Sequence, residues 1–262
     1  MNSRMQLRVL GGHQVESSGG RPIAFLIDGR IAIDAGGLLG GLSMAEQQAI
    51  EAVLITHYHY DHVRDLPFLG LAALDAGRQI AVYCTDLVRD ALQRHLLCPP
   101  LWLDLFAGPD PAAPRFLHRP VAPGVAFQVG GYAVLPIANR HHSVPVVGYQ
   151  VTTPRDRRLF YTGDTGPGIR DTWPLVDPDV LITEVTVPDE LGEVAHLAGH
   201  LTPATLEAEL IAFRDEKGRL PRVLVCHVNQ VREDEVLAQL DGVARRLQAP
   251  IELAREGTLI DL

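Results

Sequence analysis

The sequence predicts an α/β protein whose functional site lies at the ends of its strands. Three observations carry this. Short apolar runs that read as buried strands alternate with stretches of helical pattern. Potential metal ligands recur just past strand ends. Finally, His57, Tyr58, His59, Tyr60, Asp61 and His62 follow the apolar run 52–56 and bring three imidazoles and a carboxylate close together. Loops at the edge of a sheet are where α/β proteins build their sites. Imidazole nitrogen and carboxylate oxygen suit zinc and similar divalent ions. His57 and His59 can face one ion from an extended segment, while Asp61 and His62, past the bend, can face a second.

A chain of 262 residues is long enough for one large α/β domain over 1–262 with a full core. Its 47% hydrophobic and 21% charged residues are an ordinary globular composition. Lys plus Arg is 23 and Asp plus Glu is 32, giving 23 − 32 = −9. That balance argues against extended nucleic acid as a partner, which needs basic surface against phosphates. A small anionic substrate held by metal ions stays compatible with it. Three cysteines, Cys84, Cys98 and Cys226, are too few for a disulfide framework. No span of about 20 apolar residues and no signal-like N-terminus stands out. The expectation is a cytoplasmic protein without membrane contact, and a homodimer stays among the open assembly states.

In chain order, residues 6–10 read as a first strand that breaks at Gly11 and Gly12. His13 follows in a polar loop, as a plain loop histidine or a pocket residue. Residues 23–27 and 31–33 are strands joined at Asp28 and Gly29, a strong hairpin signal. Asp34 closes the second. Ser43 with Glu46 three residues on is a capping box for a helix to Ile50. Residues 63–76 read as a helix broken by Pro67, then come a strand at 80–84 and an amphipathic helix at 86–97. The proline-rich stretch 98–123 has little periodicity; it is either packing on the body or an apolar wall over the site. Strands follow at 132–137, 146–152, 158–161 and 180–183. Thr202 and Pro203 start a helix as N-cap and first residue. A strand at 222–226, a helix at 234–247 and strands at 251–254 and 258–260 complete the chain.

His-x-His-x-Asp-His after a strand resembles the signature of the metallo-β-lactamase superfamily. The resemblance implies a four-layer αββα sandwich with the metal site at one edge of its two sheets. It also implies ligand roles: His57, His59 and one of His141 and His142 for a first metal, and Asp61, His62 and His227 for a second. Asp164 would bridge both ions, the implied cofactors being two divalent ions, zinc with manganese or iron as alternatives. Asp34 would support the metal loop by accepting the other N–H of a ligand histidine. Adjacent residues on an extended chain point to opposite sides, so one of His141 and His142 suffices. The family pattern His-Ser/Thr-x-Pro-x-x-Gly-Tyr starts at the ligand, and here it starts at His142. Glu184 and His200 resemble an acid and histidine pair of the phosphodiesterase branches, catalytic alongside Asp61. His200 would bind phosphate or donate a proton, with Glu184 orienting it. His196 is set aside as a ligand, since glycine and proline surround it.

Two branches are similar. The class II 3′,5′-cyclic-nucleotide phosphodiesterases resemble the chain at residues 42–47, 65–69 and 199–203. The tRNase Z enzymes usually insert a long arm between ligand histidine and bridging aspartate, where this chain has 164 − 142 = 22 residues. The expected activity is hydrolysis of cyclic AMP or cyclic GMP to the 5′-nucleotide by a hydroxide activated at a dinuclear metal site. A tRNase Z-like RNA phosphodiesterase, or a thioesterase or lactonase of the same fold, is the alternative. Tyr60 departs from the class II pattern, which has leucine there.

Overall fold

The computed structural model describes residues 4–262. Its first half builds one mixed sheet from β1 (Gln6–Gly11), β2 (Ala24–Ile27), β3 (Ile31–Ile33), β4 (Ala52–Leu54), β5 (Ile80–Cys84) and β6 (Phe116–Pro120). The second half builds another from β7 (Phe127–Val129), β8 (Tyr132–His141), β9 (Val144–Thr152), β10 (Arg158–Tyr161), β11 (Val180–Glu184), β12 (Arg222–Cys226) and β13 (Ile251–Leu253). The last strand, β14 (Leu259–Asp261), returns to pair with β1 at the edge of the first sheet. Four helices lie with the first half: α1 (Met44–Ala49), α2 (Tyr60–Val63), α3 (Leu66–Asp75) and α4 (Asp86–His95). Three lie with the second: α5 (Gly192–Ala198), α6 (Pro203–Lys217) and α7 (Glu233–Leu247).

The layers follow from which faces are apolar. Phe25, Ile27, Ile33 and Leu54 of the first sheet meet Tyr149, Val151, Tyr161 and Ile182 of the second in a shared inner core. Val53, Val82 and Cys84 on the outer face of the first sheet pack against Leu66, Leu69 and Leu92 of its helices. Val223 and Val225 do the same against Leu210, Phe213 and Val243. Strands buried on both faces read as continuous apolar runs, which is why 52–56 and 222–226 stand out in the sequence. The result is the four-layer αββα sandwich.

Parallel pairing places the site. β3 and β4 run parallel, with Ile33 opposite Leu54, so Asp34 and Thr56 emerge at the same edge. β10, β11 and β12 are also parallel, with Glu184 opposite Cys226, so Asp164, Glu184 and His227 emerge together.

Two expectations needed revision, and one open choice is narrowed. The stretch 63–76 is two helices, and Pro67 sits in the first turn of α3, where its missing N–H costs nothing, so it does not break a helix. β8 runs on to His141, four residues past its expected end, because its backbone stays paired with β9 as far as His141 opposite Val144. The stretch 98–123 packs on the body of the first sheet, one of the two roles considered for it. Leu105 and Phe116 are buried under the helices of the first sheet. Leu101 joins Tyr58 and Tyr60 around a cavity of about 230 Å³.

Phe213 is fully buried and packs edge-on against Trp173 at 5.1 Å. Phe213→Ala should cost about 3–5 kcal/mol, the usual range for an emptied aromatic site in a core. Denaturant unfolding of the two proteins measures it; a loss under about 1 kcal/mol would mean that the outer core collapses around the gap.

Candidate metal centre

His57, His59, His141 and Asp164 offer ligand atoms that all lie within 4.8 Å of one another. His57 and His59 sit in the extended segment after β4, and their rings meet edge-on at 4.7 Å. His141 closes the group from the end of β8, its Nε2 3.3 Å from His59 Nδ1. His141 Nδ1 faces the Gly199 carbonyl at 2.9 Å and must donate there, which turns the Nε2 lone pair into the cluster. Gly199 has φ +79°, and a Cβ on it would lie 2.4 Å from the His142 backbone nitrogen, so only glycine fits.

Asp61, His62, Asp164 and His227 form a second group by the same measure. His62 Nδ1 donates to Asp34 Oδ2 at 2.8 Å, leaving Nε2 for the cluster. That is the supporting role expected of Asp34. The turn carrying Asp61 can come this close because residue 36 is glycine: a Cβ there would lie 1.7 Å from the Asp61 carbonyl oxygen. Asp34 (φ 56°) and His227 (φ 60°) both hold left-handed backbone. Non-glycine residues carry that strain where surrounding structure imposes it, commonly at sites. Asp164 lies between the groups, with Oδ1 3.3 Å from His62 Nε2 and Oδ2 3.3 Å from His227 Nε2.

The donor set fits divalent metal ions. His57 Nε2, His62 Nε2 and Asp164 Oδ1 are buried and find no hydrogen-bond partner among the described residues. Buried polar atoms are rarely left this way. His227 Nε2 also faces Asp61 Oδ2 at 3.0 Å, within the second group. Burial pushes the His57 imidazole well below its usual pKa, which keeps it neutral and able to ligate. Burial opposes charge on His62 too, but Asp164 and Asp34 outweigh it and raise its pKa well above normal. Burial alone would raise the Asp164 carboxyl, yet His227 and His62 hold it well below the usual carboxylate range. The site is electrostatically built for positive charge.

Beside both groups lies a third element. His200 Nδ1 donates to Glu184 Oε1 at 2.7 Å, and the His200 ring lies 4.7 Å from that of His141. Burial works against the His200 cation, but Glu184 prevails and lifts its pKa to about 9.

Of the expected site residues, His57, His59, Asp61, His62, Asp164, His227, Glu184 and His200 converge here. His142 does not, and the preference for it over His141 is corrected. With His141 still paired to Val144, residues 142 and 143 form a two-residue hairpin turn. His142 takes the positive φ of 47° such turns require. It is exposed and bonded to its neighbour Ser143, while His141 is 3% exposed. His196 is exposed on α5, a helix the glycine-rich sequence concealed. His13 is a buried residue bonded to Glu233 at 3.0 Å, not a member of either group. Two residues that sequence reasoning passed over, Thr56 and Thr186, contact ligand histidines directly.

Residues 30–228 match the beta-lactamase superfamily domain, and the chain belongs to that family. It is 29% identical over 247 residues to a ribonuclease Z of Pyrobaculum calidifontis, covering 80% of this chain and 82% of that protein. A stretch of 103 residues, 39% of the chain, is 31% identical to an octanoyltransferase of Porphyromonas gingivalis, of which it spans only 20%. Among solved structures, unliganded yeast PDE1 superposes with a TM-score of 0.82 at 16% identity, covering 98% of this chain and 99% of that one. At that identity the likeness speaks for the fold.

Proposed function

We propose that this protein is a two-metal phosphodiesterase that hydrolyses a 3′,5′-cyclic nucleotide to the 5′-nucleotide. The observation that carries the reading is the Glu184–His200 pair, set 2.7 Å apart against the metal-ligand cluster. His57, His59, His141 and Asp164 would hold one ion, and Asp61, His62, Asp164 and His227 the other. Divalent ions there would supply Lewis-acid charge and a nucleophile at neutral pH.

The chain's own residues do the rest. Glu184 fixes the His200 ring through Nδ1, so Nε2 is free to meet the substrate. With its raised pKa, His200 is protonated at neutral pH and can donate to a phosphate oxygen or to the departing 3′-oxygen. A cavity of about 550 Å³ beside Asp61, lined by Val15, Pro22, Tyr60 and Arg64, has the size of a small-molecule site. Between His141 and Asp164 the chain is filled by β9 and β10, with no inserted arm. The net charge of −9 also favours a small substrate over tRNA.

A second reading, an RNA phosphodiesterase, is favoured by the match to the Pyrobaculum calidifontis ribonuclease Z. Purified, metal-loaded protein should be assayed on cyclic AMP, cyclic GMP, bis(p-nitrophenyl) phosphate, a precursor tRNA and a thioester. Turnover of a cyclic nucleotide to the 5′ product supports the proposal. Cleavage of precursor tRNA without any cyclic-nucleotide turnover transfers the case to the second reading.

His200→Ala should leave metal content unchanged and lower the rate about 10²–10⁴-fold, as for a lost proton donor. The loss should be smaller on bis(p-nitrophenyl) phosphate, whose leaving group departs without a proton. Equal losses on both substrates would assign His200 to phosphate binding instead.

A further inference from the structure

The two halves of the site are wired in the same way. At the end of β3, Asp34 accepts from four donors: the Thr56 N–H at 2.9 Å, the Thr56 hydroxyl at 2.9 Å, His62 Nδ1 at 2.8 Å and the Tyr161 hydroxyl at 3.2 Å. At the end of β11, Glu184 also accepts from four: the Thr165 N–H at 2.9 Å, the Leu201 N–H at 3.1 Å, His200 Nδ1 at 2.7 Å and the Thr186 hydroxyl at 2.7 Å. Both carboxylates are fully buried. Every group pointed at these two carboxylates is a donor, so each carboxylate accepts.

That fixes the direction of the next hydrogen bond. Thr56 gives its proton to Asp34, so its oxygen can only accept from His57 Nδ1, 3.0 Å away. Thr186 gives its proton to Glu184, so its oxygen accepts from His227 Nδ1, 2.9 Å away. Each buried carboxylate therefore grips one histidine directly and a second through a threonine hydroxyl. In every case Nδ1 carries a proton, and Nε2 faces inward. Where a ring nitrogen carries its proton is set by the partner of the other nitrogen.

We propose that Thr56 and Thr186 are positioning residues: each relays a buried carboxylate to a ligand histidine, His57 and His227, and so fixes the tautomer that presents Nε2 to the metal. This rests on the two-metal reading above for its consequence, but the tautomer itself can be observed without metal. The relay has a second effect in the second sheet. Glu184 serves His200 and His227 at once, so one carboxylate orients the substrate-facing imidazole and a metal-facing one.

The test pairs Thr→Val, which keeps the shape and removes the hydroxyl, with Thr→Ser, which keeps the hydroxyl and removes the methyl. Metal-free protein labelled with ¹⁵N at histidine reports the tautomer by NMR. In the wild type, His57 and His227 should each carry a proton on Nδ1; without metal, His227 can carry a second on Nε2, 3.0 Å from Asp61 Oδ2. Thr56→Val should release His57 alone, and Thr186→Val should release His227 alone; both Ser variants should match the wild type. Zinc affinity, read by chelator competition, should fall about 10–100-fold in the Val variants, the usual cost of losing a partner behind a ligand. Thr56→Val should weaken the ion held by His57, and Thr186→Val the ion held by His227. Circular dichroism and unfolding midpoints identify any variant that fails to fold, in which case the Ser variant and the wild-type tautomers still decide the matter. Wild-type histidines without a proton on Nδ1, Val variants that bind zinc as the wild type does, or Ser variants as impaired as Val would each overturn the relay. Correct tautomers in a protein that binds no zinc would leave the relay standing and sink the two-metal reading instead.

Discussion

Asp164→Asn should reduce metal content at both ions and abolish turnover. Among the described residues, no other side chain belongs to both ligand groups. Its oxygens lie 3.3 Å from His62 and His227, 3.7 Å from His57 and 4.0 Å from His141. The amide keeps the shape, removes the charge and replaces one acceptor oxygen with a donor that cannot ligate. The rate loss should exceed the about 10²–10⁴-fold expected for a single proton donor, because nucleophile activation and charge stabilisation fail together. Metal analysis and single-substrate kinetics on the same preparation check this. A variant with full metal content and more than a tenth of wild-type activity would remove Asp164 from its bridging place.

His141→Ala should lose the ion held with His57 and His59, and with it turnover, while His142→Ala retains both. The two rings differ by one position, but their surroundings differ entirely. His141 is buried with its Nδ1 held by Gly199 and its Nε2 facing His59. His142 stands in the hairpin turn, exposed, with left-handed backbone. His142→Gly should even be tolerated by the fold, since the turn demands positive φ. Thermal unfolding and metal analysis of the three variants provide the check. Loss of metal in His142→Ala with retention in His141→Ala would reverse the assignment.

The edge of the sandwich was legible in the sequence because parallel strands deliver their next residue to one side. Apolar runs before His57, Asp164 and Glu184, and before His227, carry that signal directly. His141 was misread for a physical reason. Period-2 alternation fades in the last residues of β8, where Asn139 and Arg140 are polar, so the strand looked finished at Ile137. Whether a strand continues depends on its backbone partner, here β9, which local sequence does not reveal. Without that register, the choice between adjacent histidines rested on a motif. Thr56 and Thr186 were invisible for a different reason. A threonine beside a strand end is ordinary β-sequence, and its role appears only when a partner distant in sequence, Asp34 for Thr56 and His227 for Thr186, packs against its hydroxyl. α5 is hidden because the six residues between Gly192 and Gly199 carry too few turns to show helical period.

The metal stoichiometry of purified, fully active protein tests most directly whether two ions are held in one shared ligand cluster. Elemental analysis should find about two zinc, manganese or iron ions per chain, both removed by a chelator with loss of activity and restored with it. Full activity with one ion per chain, or with none, would contradict it.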